Sequence, residues 1–329
     1  MSQTPRTEPL LEPTNDRFVI FPIRYPDIWD LFQTQRKTFW TESEIDLVED
    51  VRQWKTLKSE EQFFIKRVLA FFAGSDGIVM ENLAARFMNE VQIPEARLFY
   101  ASQLHIEGIH SLMYAQILDA YVTDEKDKNM LFRSIDSIPA VSQKANWALK
   151  WIQSSDQFAV RLVAFACVEG IFFSGSFCCI YWLKERGVLP GLTKSNDFIA
   201  RDEGLHCDMA ILLYKKYIQS KLSDETIHAI VREALKIEKE FILDSIPCKI
   251  IGMNAKLMSQ YIDFVANRLV LQLGHSPLFS NVQNPFGFMD RINFDSKDNF
   301  FDGRVTSYQM SVERTVGDDV DELDFGARF

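Results

Sequence analysis

Two short stretches of the chain decide its fold: Glu107-Gly108-Ile109-His110 and Glu203-Gly204-Leu205-His206. In an α-helix, residues three or four positions apart lie on the same face. Each stretch therefore predicts a helix that presents a carboxylate and an imidazole in one direction, and Tyr114 lies on the same stripe as the first pair. This combination of ligands is suited to iron, manganese or zinc.

The same spacing occurs a third time, at Glu225 and His228, where we interpret it as a surface pair. These two residues lie in a charged amphipathic segment, and its polar face is expected to be exposed to solvent. The other two pairs lie among apolar residues such as Phe99 and Met209. The surroundings, rather than the spacing, therefore distinguish the candidate metal ligands.

Two single acids lie in strongly apolar stretches. Asp76 shares its helical stripe with Phe72 and Val79, and Glu169 lies within an apolar run at residues 162–177. A charged side chain is rarely buried without a partner. If Asp76 or Glu169 is considered alone, it can be interpreted equally well as a hydrogen-bonded acid in the core or as a metal ligand.

The order of these residues along the chain is acid, Glu-x-x-His, acid, Glu-x-x-His. Glu107 follows Asp76 by 31 positions and Glu203 follows Glu169 by 34, so two antiparallel helix pairs of similar length would bring all six side chains to one depth. Ferritin-like di-iron and di-manganese proteins use this ligand arrangement. We therefore predict an all-α fold, a ferritin-like helical bundle with a di-metal carboxylate site in a four-helix core. Two divalent cations would balance four carboxylates that could not otherwise share a dry core.

The composition agrees with one large helical domain of a soluble, cytoplasmic protein. The chain has 329 residues, of which 47% are hydrophobic and 25% charged. The net charge of −10 argues against a nucleic-acid partner. The five cysteines form no CxxC motif and are expected to be reduced thiols. The N-terminus has no apolar signal segment, and a membrane span at residues 162–183 is rejected because Glu169 inside it would be costly in lipid.

The chain is expected to have three parts: a flexible N-terminal arm at 1–16, the helical domain at 17–295 and a flexible acidic tail at 296–329. A cap at Ser154-Ser155-Asp156 is predicted for the helix that carries Glu169. The small residues beside Glu169 predict a close helix approach or a local distortion. Other long helices are predicted at about 59–90, 94–121, 197–220, 224–244 and 254–274.

The ligand set and its flanking stretches resemble the small subunit of class I ribonucleotide reductase, of the eukaryotic type. The stretches that carry the resemblance are FFAGSDGIV at 71–79, VEGIFFSGSF at 168–177 and SNDFIARDEGLHCD at 195–208. The resemblance implies an oxo-bridged pair of iron ions, with manganese as the alternative, that reacts with dioxygen and oxidises a tyrosine to a stable radical. The radical would pass to a separate large subunit, which reduces ribonucleoside diphosphates to deoxyribonucleotides for DNA synthesis.

Carried onto this chain, the resemblance implies that Tyr114 is the radical site. It implies an apolar shield for the radical, because a phenoxyl radical survives only where water and reductants are excluded. It also implies a radical-transfer route, in which Asp202 accepts hydrogen bonds from His110 and Trp40. The implied metal ligands are Asp76, Glu107, His110, Glu169, Glu203 and His206. The implied shield is Phe173, Phe177 and Ile199, and the implied transfer residues are Trp40, Asp202 and Tyr308.

The resemblance further implies a homodimer and a C-terminal tail that docks to the large subunit, with no nucleic-acid or membrane partner. The chain departs from the family pattern at Gly108 and Leu112, where polar residues are expected, and at Arg328, which precedes the terminal Phe329. Two alternatives remain at this point. One is a different di-metal oxidase or oxygenase on the same bundle, and the other is a divergent auxiliary paralogue without catalytic activity.

Overall fold

Helices form the regular structure of the residues that the computed structural model describes, 8–245 and 254–289. No β-strand occurs within those two ranges, so the predicted all-α class is confirmed. Three π-helical turns, π1 (Leu83–Phe87), π2 (Val168–Phe172) and π3 (Leu213–Tyr217), continue or interrupt the α-helices. The α-helices are α1 (Pro26–Lys37), α2 (Val48–Trp54), α3 (Ser59–Asn82), α4 (Met88–Glu90), α5 (Pro94–Tyr121), α6 (Glu125–Phe132), α7 (Ser134–Ser137), α8 (Pro139–Gln153), α9 (Phe158–Cys167), α10 (Ser174–Glu185), α11 (Pro190–Leu212), α12 (Asp224–Ser245) and α13 (Ala255–Gln272).

Four long helical segments form the centre of the bundle. Helix α3 packs against α5, α11 packs against α9 and α10, and α5 contacts α11. Outside this core, α1 covers α5 and α11, while α8 and α12 cover α3 and α9. These contacts pair α3 with α5, and α11 with the segment that carries Glu169, as the sequence predicted.

The most apolar segment of the chain, Phe158–Glu185, lies inside the protein. It is long enough to cross a membrane, and its most apolar 18-residue window has a mean hydropathy of 1.9, but 94% of that window is buried. Its α-helical regularity is broken by π2, which contains Glu169. A core helix therefore accounts for its hydrophobicity, and the distortion predicted beside Glu169 is confirmed.

The N-terminus of α11 is fixed by an acid from a distant part of the chain. Asp50 is fully buried, and its carboxylate accepts hydrogen bonds from the main-chain N–H groups of Gly191 at 2.7 Å and Leu192 at 2.8 Å. The Tyr121 hydroxyl donates to the same carboxylate at 2.6 Å. A carboxylate at a helix N-terminus satisfies N–H groups that have no partner within the helix, so Asp50 holds in place the helix that carries Glu203.

The start of α11 differs from the sequence prediction, which placed the beginning of this helix at about residue 197. Pro190 instead occupies the first turn of α11. Proline suits that position because its missing N–H would be unpaired there in any case. A Cβ on Gly191 would lie 2.6 Å from the main-chain oxygen of Asp46, so this position requires glycine.

Two other predictions on local structure need correction. The Ser154 hydroxyl accepts a hydrogen bond from the Asp156 N–H at 3.0 Å, which closes a turn before the helix, and Gln157 occupies the N-cap position of α9 without a side-chain cap.

Residues 8–16, expected to be loose, contact the domain, because Leu10 is fully buried and its main-chain oxygen accepts a hydrogen bond from Gln92 at 2.8 Å. The predicted tail at 296–329 lies outside the described residues.

Candidate metal centre

The six predicted ligands meet in the interior of the bundle. Helix α3 supplies Asp76, π2 supplies Glu169, and α5 and α11 each supply a Glu and a His three positions apart. Each of the six side chains is at most 3% exposed. Their potential ligand atoms form two groups, within which all atoms lie within 4.8 Å of one another. The groups are Asp76, Glu107 and His110, named position A, and Glu107, Glu169, Glu203 and His206, named position B.

Glu107 and Glu203 lie between the two histidines. The two Glu107 oxygens lie 3.4 Å from His110 Nδ1 and 3.0 Å from His206 Nδ1. The two Glu203 oxygens lie 3.1 Å and 3.0 Å from the same two nitrogens. Each of these two carboxylates thus presents one oxygen to each histidine and could contribute a ligand to either position, whereas Asp76 and Glu169 each belong to one group only.

The hydrogen bonding of the cluster is incomplete in a way that fits metal ions. Five buried ligand atoms make no hydrogen bond of regular geometry among the described residues, and three of them, His110 Nδ1, Glu107 Oε2 and Glu203 Oε1, face one another at 3.1–3.4 Å. Buried polar atoms are nearly always paired, so this concentration of inward-facing donors and acceptors fits a site that binds cations. Oxygen and imidazole ligands suit iron, manganese or zinc. The five atoms are Asp76 Oδ2, Glu107 Oε2, His110 Nδ1, Glu169 Oε2 and Glu203 Oε1.

Without cations, protons have to balance the charge of this cluster. Burial, together with neighbouring carboxylates, raises the pKa of Asp76 and of Glu169 well above the usual range. Burial alone would lower the pKa of His206, but Glu107 and Glu203 outweigh it and raise that pKa to about 9. The pKa of Glu203 is lowered, because contacts with both histidines outweigh its burial. The site is therefore built to hold positive charge, either as protons or as metal ions.

The outer nitrogen of each histidine has a buried partner that fixes the ring. His110 Nε2 lies 3.2 Å from Asp202 Oδ2, and the Trp40 indole N–H donates to the same oxygen at 2.7 Å. Arg201 donates to the other oxygen of Asp202 at 3.0 Å. Burial would raise the pKa of Asp202, but these donors outweigh it and lower the pKa. A ligating histidine generally donates its free N–H to such an acceptor, so Trp40, Asp202 and His110 form the connected chain that was predicted.

Two glutamines of the site were not predicted. Gln35 of α1 is fully buried, and its amide lies 3.1 Å from His206 Nε2. Because His206 Nδ1 faces the carboxylates, Nε2 carries a proton and needs an acceptor. Rotation of the Gln35 amide by 180° places its oxygen next to Nε2, so this oxygen is the acceptor. Gln103 donates to Glu169 at 3.0 Å and to Glu107 at 3.3 Å. Its position four residues before Glu107 could have revealed it, whereas no spacing connects Gln35 with α11.

Tyr114 lies in an aromatic cluster next to the carboxylates. It is 1% exposed, and its hydroxyl has no hydrogen-bond partner among the described residues. Burial, followed by the charges of Asp76 and Glu203, raises its pKa well above the usual value, so the phenol is protonated at neutral pH. The Phe72 ring stacks on it with centroids 4.5 Å apart.

The three predicted shield residues are buried, and two of them contact this cluster. Phe173 and Phe177 lie 5.6 Å and 5.3 Å from Phe72, centroid to centroid. Ile199 is fully buried in α11, one turn before Glu203. Phe72, which the sequence analysis treated only as an apolar neighbour of Asp76, is the ring in direct contact with Tyr114.

The remaining predicted residues lie elsewhere. Glu225 is exposed and His228 contacts the main-chain oxygen of Ser276 at 2.7 Å, away from the metal positions, as expected for a surface pair. Leu112 is 54% exposed, and a Cβ on Gly108 would meet no atom within 4 Å. These two departures from the family pattern are therefore on the outer side of α5. Tyr308 lies outside the described residues.

A helical bundle with four carboxylates and two histidines in its core defines the class of ferritin-like di-metal carboxylate proteins. The model of the family "Ribonucleotide reductase, small chain" matches residues 17–285. The chain belongs to this family.

Similar proteins come from distant organisms. The chain is 56% identical to the ribonucleoside-diphosphate reductase small chain of Nicotiana tabacum, covering 92% of this chain and 92% of that protein. It is 54% identical to the small chain of Trypanosoma brucei brucei, covering 94% and 92% respectively. A solved structure, the ribonucleotide reductase Rnr4 homodimer of Saccharomyces cerevisiae, is 36% identical with a TM-score of 0.79 and coverage of 88% and 92%. The predicted family, of eukaryotic type, is thereby confirmed.

Proposed function

We propose that this chain is the radical-generating small subunit of a ribonucleoside-diphosphate reductase. The single observation that carries this proposal is the complete cluster of six buried ligands beside a buried, unpaired tyrosine hydroxyl. Relatives that are 53–56% identical to this chain are named as the small chain of ribonucleoside-diphosphate reductase. The large subunit that completes the enzyme, and a second copy of this chain, are the proposed partners.

Two iron ions, bound at positions A and B, would supply the oxidising chemistry with dioxygen. Asp76 and His110 would hold the ion at A, Glu169 and His206 would hold the ion at B, and Glu107 and Glu203 could contribute to either. Manganese fits the same donors, and metal availability decides between the two.

Tyr114 is the proposed radical site. Oxidation to the neutral radical removes one electron and one proton from its phenol. The raised pKa keeps the proton on the oxygen until that step. The stacked Phe72 ring and the neighbouring Phe173 and Phe177 exclude water, which gives the radical its lifetime.

Trp40, Asp202 and His110 are the proposed start of the route by which the radical leaves the site. The Trp40–Asp202 hydrogen bond of 2.7 Å and the His110–Asp202 contact of 3.2 Å connect position A with α1's C-terminal loop. Tyr308 and the acidic tail at 296–329, both proposed from the family resemblance, would continue the route and dock to the large subunit.

Aerobic reconstitution with ferrous iron tests this function. Wild type is expected to bind two irons per chain and to show a tyrosyl signal in electron spin resonance. Tyr114→Phe should bind both irons but lose the tyrosyl signal. Tyr217→Phe is the control, because the Tyr217 hydroxyl donates to Asp27 at 2.6 Å, and this variant should keep both the irons and the signal. Two bound irons without any tyrosyl signal would contradict the proposal and favour a different di-metal oxidase.

Removal of residues 296–329 tests the docking role of the tail. The shortened chain should form the Tyr114 radical in full yield but lose reductase activity with the large subunit. Activity that survives the truncation would refute the tail as the docking segment and leave the radical site unaffected.

A further inference from the structure

A buried ion pair lies next to the site without contributing a ligand to it. Lys144 of α8 is 1% exposed and Glu238 of α12 is fully buried, with Lys144 Nζ 2.5 Å from Glu238 Oε2. Neither side chain belongs to the metal positions or to the Trp40–Asp202–His110 chain. The pair lies where α8 and α12 cover the segment that carries Glu169.

The pair binds main-chain groups at the junction between π2 and α10. Lys144 Nζ donates to the main-chain oxygen of Phe172, the last residue of π2, at 2.7 Å. Glu238 Oε1 accepts the main-chain N–H of Gly175 at 3.2 Å. A π turn shifts the main-chain hydrogen-bond register away from the α-helical pattern. The two charged side chains therefore bind the main chain at the point where the π register returns to the α-helical pattern.

The space around the pair leaves little freedom of movement. Lys144 Nζ lies 3.7 Å from the ring centroids of both Phe71 and Phe241, a close cation–π arrangement. A Cβ on Gly175 would lie 2.5 Å from Glu238 Oε1 and 2.7 Å from Ile242. The absence of a side chain at Gly175 thus lets α10 approach α12 closely enough for the Glu238 contact.

Stability alone does not account for this pair. Removing two charges from water costs several kcal/mol, and apolar side chains of similar volume often stabilise a core as well or better. Apolar side chains could not, however, provide a donor to Phe172 and an acceptor to Gly175. Directional contacts to the main chain are therefore the specific contribution of Lys144 and Glu238.

We propose that Lys144 and Glu238 are positioning residues for metal position B. They hold π2 through its main chain and thereby set the depth and direction of Glu169. The other five ligands lie on the regular helices α3, α5 and α11, so only Glu169 depends on π2. Loss of the pair therefore weakens position B and spares position A. This inference rests on the proposed function to the extent that both positions bind metal.

Anaerobic titration of the metal-free full chain with Co²⁺ tests the inference, with calorimetry for affinities and the visible absorption bands of Co²⁺ for ligand geometry. Asp76→Asn and Glu169→Gln serve as references that assign the two binding steps to positions A and B. Lys144→Met is expected to lower the affinity of position B about 10- to 100-fold, as loss of an outer partner of a metal ligand does. Position A should change less than threefold, and the Co²⁺ spectrum should resemble that of Glu169→Gln.

Two further variants keep the test decisive. Lys144→Met leaves the Glu238 carboxylate buried without its partner. The double variant Lys144→Met/Glu238→Gln removes that buried negative charge and keeps an acceptor for the Gly175 N–H. It should show the same loss of affinity at position B alone. Lys239→Met is the matched control: Lys239 also lies on α12, in an ion pair with Asp263 at 2.7 Å, and its loss should leave both positions unchanged.

Equal weakening of both positions, or no weakening of either, in the double variant would overturn the positioning role. A wild type that binds fewer than two Co²⁺ ions would instead overturn the proposed function, and this inference with it. The two outcomes can be distinguished, because a failure of the proposed function would already be seen in the wild-type titration.

Discussion

Metal binding at position B should depend steeply on pH. In the metal-free protein the pKa of His206 is about 9, so at pH 7 about one molecule in a hundred has the neutral imidazole that a metal requires. The apparent affinity should therefore rise about tenfold per pH unit between pH 6.5 and 8.5 from this residue alone. Protons on Asp76 and Glu169, whose pKa values are also raised, would add to the slope.

Anaerobic Mn²⁺ titration across this pH range measures the effect. Calorimetry in two buffers of different ionisation enthalpy should report the release of at least one proton as position B fills. His228→Gln, which changes the surface histidine of the same Glu-x-x-His spacing, should leave the slope unchanged. An affinity that stays flat between pH 6.5 and 8.5 would refute the conclusion that His206 is protonated in the metal-free protein.

Three further predictions concern stability and transfer. Asp50→Ala should lower the free energy of unfolding by about 3–5 kcal/mol in urea titrations, because it leaves three donors unpaired; a loss under 1 kcal/mol would contradict the capping role. Gly191→Ala should cost about 1–3 kcal/mol through overpacking, whereas Gly108→Ala, with open space around its Cβ, should not destabilise the same helical protein, and equal effects would argue against the close approach at Gly191. Trp40→Phe, which removes the indole donor to Asp202, should keep the radical yield by spin resonance but abolish deoxyribonucleotide formation with the large subunit; retained turnover would exclude Trp40 from the route.

The ligand set could be predicted because its information is local. A Glu and a His three positions apart share a helix face whatever the rest of the chain does, and apolar neighbours indicate that the face is buried. The distortion at Glu169 was likewise signalled by Gly170, Ser174 and Gly175. These patterns need no knowledge of which helix packs against which.

The residues that support the ligands could not be predicted in the same way. Asp50 caps α11 across 141 positions, Gln35 reaches His206 across 171, and Lys144 and Glu238 meet from α8 and α12. Each such pair is created only when the helices dock, and each partner taken alone looks like an ordinary polar residue. The start of α11 was misplaced for this reason, since its cap comes from α2.

The two histidines have different outer partners, so metal ions bound at positions A and B would have different electronic properties. His110 donates to an ionised carboxylate, and His206 to a neutral amide. An imidazole next to a negative charge is the stronger electron donor, so it favours the higher oxidation state of whatever ion it binds. Two ions bound at positions A and B would therefore differ in reduction potential, with the ion at A, on the side of Trp40, the more easily oxidised.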